Sequence, residues 1–344
     1  MFRETARNIL AQAIGEKSLR RVLGLKNRLI PPKERYLILI DTTDGCNLKC
    51  TFCSRDNLKP ILMKASEFDT ILRRLKGHIS SLQLSCAWEY SIAKNSAEVL
   101  RILGKHNVPS TSLYTNGNVL TDAMAEALID SRLEQFVVSI GEAKKETYER
   151  IRAGGRFERV ISNIKKLAAL KDQHSVTHPK ICANLTLIRS NIEELPDFID
   201  LAHEIGITEI RGRHLILNKG LGMDEEVIQD VSLANRMIEA ASEKASSYGM
   251  DFFVPGYPVE TTAKQCRAPW ERLYISSNGD VSVCPRIHKY EKIGNLIEQS
   301  LESIIHGSEL KMLKDQFERS DFKNPVCEIC MANRETEIEI EQGF

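Results

Sequence analysis

The sequence carries no surplus of charge: 47 Lys and Arg balance 47 Asp and Glu over 344 residues. A neutral chain has no long-range field to gather nucleic acid, so DNA or RNA is not expected as a partner. No apolar run approaches the ~20 residues that a membrane-spanning helix needs. Aromatic residues are few, at 6%, yet the apolar fraction of 42% is enough to build one large or two modest domains. Internal repeats and low-complexity segments are also lacking. The N-terminal MFRETARNILAQ contains Glu4 and no apolar stretch followed by a small-residue cleavage site, so it does not read as a secretory signal. Without an export signal, nine cysteines point to the reducing cytoplasm, where thiols serve as metal ligands or redox groups rather than disulfides.

The cysteines are grouped. Cys46, Cys50 and Cys53 lie within one short segment, 41-DTTDGCNLKCTFCSRDN-57, and Cys266, Cys284, Cys327 and Cys330 form a second set near the C-terminus. Only Cys86 and Cys182 stand apart. Three thiols are too few for a closed structural zinc site and an odd number for disulfides. They suit an iron–sulfur cube, in which three thiolates leave one iron open to a substrate or cofactor. The second set has four thiols, and both a tetrahedral zinc site and a fully ligated cluster fit that number.

Along the chain, residues 1–36 are helix-like and basic, with nine Lys or Arg against three Glu. Phe2, Ala6, Ile9, Leu10, Ala13 and Ile14 recur at helical spacing, consistent with a helix packed on the body of the protein or lying on a membrane surface. Pro31-Pro32 ends that segment. From residue 37 strands and helices alternate. Strands are expected at YLILIDTT, 81–86, 110–117, 136–140, 181–188 and 208–216, and helices at 61–78, 94–106, 121–131, 157–171, 192–205 and 227–248, with Thr121 as an N-cap. Six strand–helix units in series imply a parallel sheet, open or curled into a barrel, with functional groups at the C-terminal strand ends. The three-cysteine segment follows the first strand, at that end. Pro255, Gly256 and Pro258 mark a boundary. Beyond it, Asn278-Gly279 predicts a hairpin with a tight primed turn, followed by a helix over 298–317 and the last Cys-x-x-Cys. The expected division is thus 1–36, 37–254 and 255–344.

The motif CNLKCTFC, C-x3-C-x2-C with an aromatic before the last cysteine, resembles the signature of radical S-adenosylmethionine (SAM) enzymes. The resemblance implies a partial (β/α)6 TIM-like barrel whose three cysteines hold a [4Fe-4S] cluster. The open iron chelates SAM, and reduction cleaves it to a 5′-deoxyadenosyl radical that abstracts hydrogen from an unactivated C–H bond. Phe52 would then lie at the adenine end. A Gly-Gly-Glu-type motif commonly ends strand two in that family; here Ala87 and Trp88 replace the glycines and Glu89 remains for the SAM amine. Strand three ends Tyr114-Thr115-Asn116-Gly117, similar to the family's Thr-Asn-Gly, which implicates Asn116. Strand four closes as Ser139-Ile140-Gly141-Glu142, so Ser139 matches the usual Ser-Ile-Asp-Gly while the acid has moved by one position. Arg152 matches an Arg near the SAM carboxylate, and Asn184 and Arg211 on strands five and six are further candidates, with a structural role equally open for these two. The run 266-CRAPWERLYISSNGDVSVC-284, then IGNL and the final Cys-x-x-Cys, resembles the SPASM/twitch extension. Only 14 residues follow Cys330, which is similar to the shorter twitch form, a small α+β domain with one auxiliary [4Fe-4S] cluster on Cys266, Cys284, Cys327 and Cys330.

A cluster with every iron capped is suited to moving electrons. The expected function is therefore a radical SAM oxidoreductase that removes hydrogen from a small polar substrate, such as a sugar or aminocyclitol, and passes an electron to the auxiliary cluster. An epimerase is a second possibility if Cys86 donates hydrogen from the opposite face, although a small buried hydrophobe is the plainer reading of that residue. Cys182 reads as core. A peptide-modifying maturase and a non-catalytic iron–sulfur electron carrier are also compatible with the two cysteine sets. Expected partners are an external one-electron reductant of flavodoxin or ferredoxin type and, through residues 1–36, a membrane surface.

Overall fold

A computed structural model describes residues 34–53, 60–215, 230–256 and 266–332. The sheet and both cysteine sets belong to one compact unit that begins at Tyr36. The expected N-terminal helix, its membrane contact, the break at Pro31-Pro32 and that at Pro258 lie outside the described residues.

The elements follow in chain order as β1 (Tyr36–Ile40), β2 (Lys49–Cys50), α1 (Ala65–Arg74), β3 (Ile79–Leu84), α2 (Ser96–Lys105), β4 (Thr111–Thr115), α3 (Asp122–Asp130) and β5 (Gln135–Val138). Then come α4 (Lys145–Ile151), β6 (Arg152–Ala153), α5 (Phe157–Gln173), β7 (Lys180–Leu187), α6 (Leu195–Glu204), β8 (Glu209–His214), α7 (Val231–Ser247) and β9 (Asp251–Phe253). The C-terminal part holds α8 (Ala268–Glu271), β10 (Arg272–Ile275), β11 (Asp280–Ser282), β12 (Gly294–Asn295), α9 (Leu301–Ile305), α10 (Ser308–Glu318) and α11 (Pro325–Ala332).

The six expected strands are β1, β3, β4, β5, β7 and β8, parallel neighbours in that order. Their apolar residues recur along both faces, as in Tyr36, Ile38, Leu39 and Ile40 of β1, because helices cover the sheet outside. Each helix turns a stripe at i, i+3/i+4, i+7 inward: Phe68, Ile71 and Leu72 on α1, Val99, Leu100 and Leu103 on α2, Val160, Ile164 and Leu167 on α5. Burying one such side chain contributes about 1.5–3 kcal/mol, so these stripes hold the helices on the sheet. Thr121 caps α3 by accepting the Met124 N–H at 3.2 Å. The result is an open α/β sheet, a partial barrel whose C-terminal strand ends face one way.

Four features depart from the sequence reading. β9 adds a further parallel strand beside β8. A short helix, α4, precedes the two-residue β6, and both went unread because seven residues show too little periodicity. The expected helix over 298–317 is two, since Gly307 ends α9 and stands as the N-cap of α10. The hairpin turn is longer than a two-residue primed turn. Only Gly279 has positive φ, at 82°; its N–H donates to the Ser276 carbonyl at 2.9 Å, and the Ser276 N–H to the Asp280 carbonyl at 3.0 Å. Asn278 stays outside the left-handed region because its side chain braces the loop, accepting from Ser276 Oγ at 2.6 Å and donating to Asp280 Oδ2 at 2.9 Å.

The C-terminal strands are not a detached layer. β10 runs parallel to β1 in register Leu37↔Arg272 to Ile40↔Ile275, and β11 and β12 follow antiparallel. An open barrel leaves the edge of β1 unpaired, and β10 satisfies it. The first cysteine set therefore follows β1, while the second brackets its neighbour β10, with Cys266 before it, Cys284 after β11 and Cys327 and Cys330 on α11.

Candidate functional site

The three-cysteine loop leaves β1 at its C-terminal end and is held on several sides. Gly45 lies so close to its neighbours that a Cβ there would come 2.8 Å from both Ile92 Cδ1 and Pro60 Cβ, and its carbonyl accepts the Glu89 N–H at 2.8 Å. Leu48 donates its backbone N–H to Cys46 Sγ at 3.4 Å, and the Cys53 N–H reaches the Cys50 carbonyl at 3.0 Å. β2 pairs with β6 in register Cys50↔Arg152, which sets the guanidinium of Arg152 beside the Cys50 thiol. Gly154 follows with φ 92°, and a Cβ there would lie 3.2 Å from the Asn47 carbonyl. With the Asp44 N–H on the Ile61 carbonyl at 3.3 Å, the loop thus has backbone partners from three other segments.

Arg152 is buried. Its Nε donates to Glu142 Oε2 at 3.0 Å, and its guanidinium lies 5.6 Å from the Phe52 ring centre and 5.9 Å from that of Tyr148. Glu142 is fully buried, and its Oε1 has no hydrogen-bond partner among the described residues. Burial pushes the Cys50 thiol up to about 11 despite the opposing charge of Arg152. Cys46 is raised as well, by burial first, with Leu48 and Asn116 opposing through hydrogen bonds.

Glu89 and Asn116 anchor the neighbouring strand ends. Glu89 Oε1 accepts from Ser91 N at 3.1 Å, Ser91 Oγ at 2.6 Å and Thr115 Oγ1 at 2.6 Å, while Oε2 accepts from Asn116 N at 2.7 Å. Burial raises its pKa even against these four bonds. Asn116 Nδ2 in turn donates to Asn47 Oδ1 at 2.8 Å, inside the cysteine loop. Both side chains clamp the end of β3 and the end of β4 to the loop.

In the second set, Cys327 is buried at the start of α11, and burial pushes its thiol up to about 12, with Cys284, Cys266 and Cys330 each raising it further. Mutual influence of this kind places the four sulfurs in one neighbourhood. Burial also raises Cys284, against the opposing charges of Arg272 and Arg286. Arg286 Nη1 donates to Cys330 Sγ at 3.8 Å. Among the described residues no three of these side chains already converge as in a closed metal site, so ligation would draw them together. The donors themselves fit: three sulfurs on one loop, four sulfurs in one neighbourhood, N–H groups aimed at sulfur, and cations nearby to offset thiolate charge. Protonated thiols of raised pKa make metal loading proton-coupled, favoured as pH rises.

The family model of the Radical SAM superfamily matches residues 40–202, and that of the iron–sulfur cluster-binding SPASM domain matches residues 266–331. The chain belongs to the radical SAM superfamily and carries a SPASM domain. SAM and two [4Fe-4S] clusters are accordingly its cofactors. The probable GTP 3′,8-cyclase of Methanocaldococcus jannaschii is 30% identical over 178 residues, 51% of this chain and 57% of that protein. The corresponding protein of Saccharolobus solfataricus is 28% identical over 180 residues, 52% of this chain and 55% of its own. The match thus spans about half the length of these curated relatives. Among solved structures, Streptococcus suis SuiB bound to S-adenosylmethionine superposes with a TM-score of 0.68 at 19% identity, covering 90% of this chain and 74% of SuiB. anSMEcpe with bound AdoMet gives 0.63 at 16% identity, covering 88% and 84%. At these identities the likeness is one of fold.

The remaining candidates of this radical SAM protein divide by position. Ser139 is half-buried, and its N–H donates to the Thr115 carbonyl at 2.8 Å, beside the Asn116 clamp. Asn184 and Arg211 face each other in the β7–β8 register. Arg211 pairs through Nε with Glu209, which also accepts from Lys180 Nζ at 2.7 Å, so its charge is already balanced. Cys86 is half-buried where the chain turns after β3. Cys182 is fully buried in β7, and burial pushes its thiol up to about 12.

Sequence reasoning passed over Asp41 and Tyr274. Asp41 follows β1, and its carboxylate accepts the backbone N–H of Cys86 at 2.8 Å and of Ala87 at 3.1 Å. The buried Tyr274 hydroxyl on β10 donates to Asp41 Oδ2 at 2.8 Å. One carboxylate thereby joins the first strand, the backbone of the altered Ala87-Trp88-Glu89 segment and the SPASM region. The signal in the sequence was an acid placed directly after the apolar run of β1.

Proposed function

We propose that this protein is a radical SAM oxidoreductase acting on a small polar substrate, a sugar or aminocyclitol, with the four-cysteine cluster accepting the second electron. The observation that supports this reading is the pairing of β10 with β1, which joins the region bearing the second cysteine set to the strand that leads into the first. A cluster with all four irons ligated offers no vertex to substrate and is suited to electron transfer.

In this reading Cys46, Cys50 and Cys53 ligate the first cluster and Cys266, Cys284, Cys327 and Cys330 the second. When bound and reduced, the first cluster and SAM supply the radical that takes one hydrogen atom from the substrate. Arg152, fixed by Glu142, offers a buried cation for the SAM carboxylate, with Ser139 as a hydroxyl donor. Phe52 supplies an apolar face. Glu89 and Asn116 hold the loop and strand ends so that these groups keep one geometry. Asn184 and Arg211 line the substrate side. Cys86, whose backbone Asp41 fixes, is the hydrogen donor if the product is an epimer. The substrate of an oxidation gives up one hydrogen atom, then one electron to the second cluster and one proton to solvent.

The similarity to probable GTP 3′,8-cyclases favours a second reading, radical ring closure on a purine nucleotide. Anaerobic incubation with SAM and reductant against pools of polyols, aminocyclitols and purine nucleotides separates the two. We expect 5′-deoxyadenosine together with a polyol or aminocyclitol product lacking two hydrogens. A product only from the nucleotide pool, or one that keeps every substrate hydrogen, contradicts the oxidoreductase.

A further inference from the structure

The turn from Ser85 to Glu89 is shaped by a carboxylate that lies outside it. Ala87 and Trp88 stand where the resemblance sets glycines, so their side chains narrow the conformations open to the backbone. Ser85 nevertheless has φ 62°, in the left-handed region that residues other than glycine keep only where the surroundings impose it. Several hydrogen bonds impose it here. Ser85 donates its N–H to the Ile40 carbonyl at 2.9 Å and its hydroxyl to the Trp88 carbonyl across the turn. Asp41 Oδ1 accepts the Cys86 N–H at 2.8 Å, and the Ala87 N–H lies between the two carboxylate oxygens, 3.2 Å from Oδ1 and 3.1 Å from Oδ2. Two successive N–H groups thus converge on one buried carboxylate.

Asp41 is itself oriented from the SPASM region. Its Oδ2 accepts the hydroxyl of the fully buried Tyr274 at 2.8 Å, and its own N–H donates to the carbonyl of Ile275, the next residue of β10, at 3.0 Å. The Tyr274 ring packs 5.1 Å from that of His288, in the segment that follows Cys284. Turning the carboxylate to satisfy Oδ2 elsewhere would take its oxygens away from Cys86 and Ala87. We propose that the Tyr274 hydroxyl, acting through Asp41, is the positioning group by which the SPASM region holds the Cys86–Glu89 turn in the shape that binds SAM. Glu89, which the resemblance directs to the SAM amine, closes this turn, so the hydroxyl acts on SAM without touching it. The role holds whichever substrate is oxidised.

The test uses the full-length protein with both clusters loaded anaerobically, as the parent, Tyr274→Phe, Asp41→Ala and the double variant. Iron content reports loading, and the change in the electron paramagnetic resonance spectrum on titrating SAM gives its affinity. Tyr274→Phe should weaken SAM about 10-fold, the effect of one lost hydrogen bond to a charged group. Asp41→Ala should weaken it at least as far, and adding Tyr274→Phe to it should cost nothing more, since the hydroxyl works through the carboxylate. Hydrogen exchange without SAM gives a readout independent of binding: in Tyr274→Phe the amides of Cys86 and Ala87 should exchange about 10-fold faster while those of β4 and β5 keep the parent's rates. Should Asp41→Ala fail to take up iron, Tyr274→Phe alone decides through affinity and exchange. A SAM titration of Tyr274→Phe that coincides with the parent's overturns the proposal. So do additive losses in the double variant, or exchange that rises equally across the sheet. A parent whose spectrum ignores SAM would count instead against the assignment of the first cluster, and the exchange rates would still decide whether Tyr274 holds the turn.

Discussion

Replacing Cys327 and Cys330 with Ala is expected to leave SAM cleavage intact while the yield of oxidised product falls to background. The two residues sit together on α11, far in sequence from the loop of Cys46, Cys50 and Cys53, and the sheet joins the two sites through β1 and β10. Removing half of the second ligand set abolishes that cluster without touching the donors of the first. Hydrogen abstraction would then continue, and the substrate radical, lacking an acceptor, would take one electron from the added reductant and one proton from solvent and return to substrate. The measurement is a ratio: 5′-deoxyadenosine per oxidised product, near one in the parent and very large in the variant. A ratio unchanged by the substitution eliminates the acceptor role. Cys327 is buried, so loss of its side chain also costs packing; far-ultraviolet circular dichroism of the variant distinguishes misfolding from a lost cluster.

The second large effect concerns the buried pair Arg152–Glu142. Arg152→Met removes one partner and strands a carboxylate that is fully buried, so the chain should lose about 3–5 kcal/mol of stability. The double variant Arg152→Met, Glu142→Leu replaces both charges by apolar groups of similar size and should recover most of that loss. Affinity for SAM should not recover, because the cation beside Cys50 is gone in both. Thermal unfolding and equilibrium binding of SAM to the reconstituted proteins report the two effects separately. Recovery of both would assign the pair a purely structural role.

Much of this arrangement was legible in the sequence, and the exceptions have physical causes. The six strands declared themselves by runs such as YLILI and by helical stripes of period near 3.6 between them, since burial on both faces leaves little else to choose. The cysteine spacing and its place after β1 pointed to the loop. What one dimension could not give was which segments meet. Asp41 and Tyr274 are 233 residues apart and form one hydrogen bond only because β10 pairs with β1. The acid displaced by one position to Glu142 became meaningful only when β2 and β6 set Arg152 against Cys50. Glu89, which the resemblance sets toward the SAM amine, also ties strand ends together, a task its four hydrogen bonds reveal and one dimension could not: three fall on one oxygen and a single bond on the other. Asn278-Gly279 suggested a primed turn, but side-chain bonds from Ser276 and Asp280 favoured a longer one. The helix over 298–317 failed at Gly307, where a periodic apolar pattern continued across a residue that interrupts it.

The central claim is that the loop of Cys46, Cys50 and Cys53 holds a cube with one iron left to SAM, while the second set does not. Electron paramagnetic resonance of the anaerobically reconstituted, reduced protein tests this directly. Signals from two [4Fe-4S] clusters are predicted, of which one set changes on adding SAM and the other does not. A protein that takes up only zinc, or whose spectrum is indifferent to SAM, would contradict it.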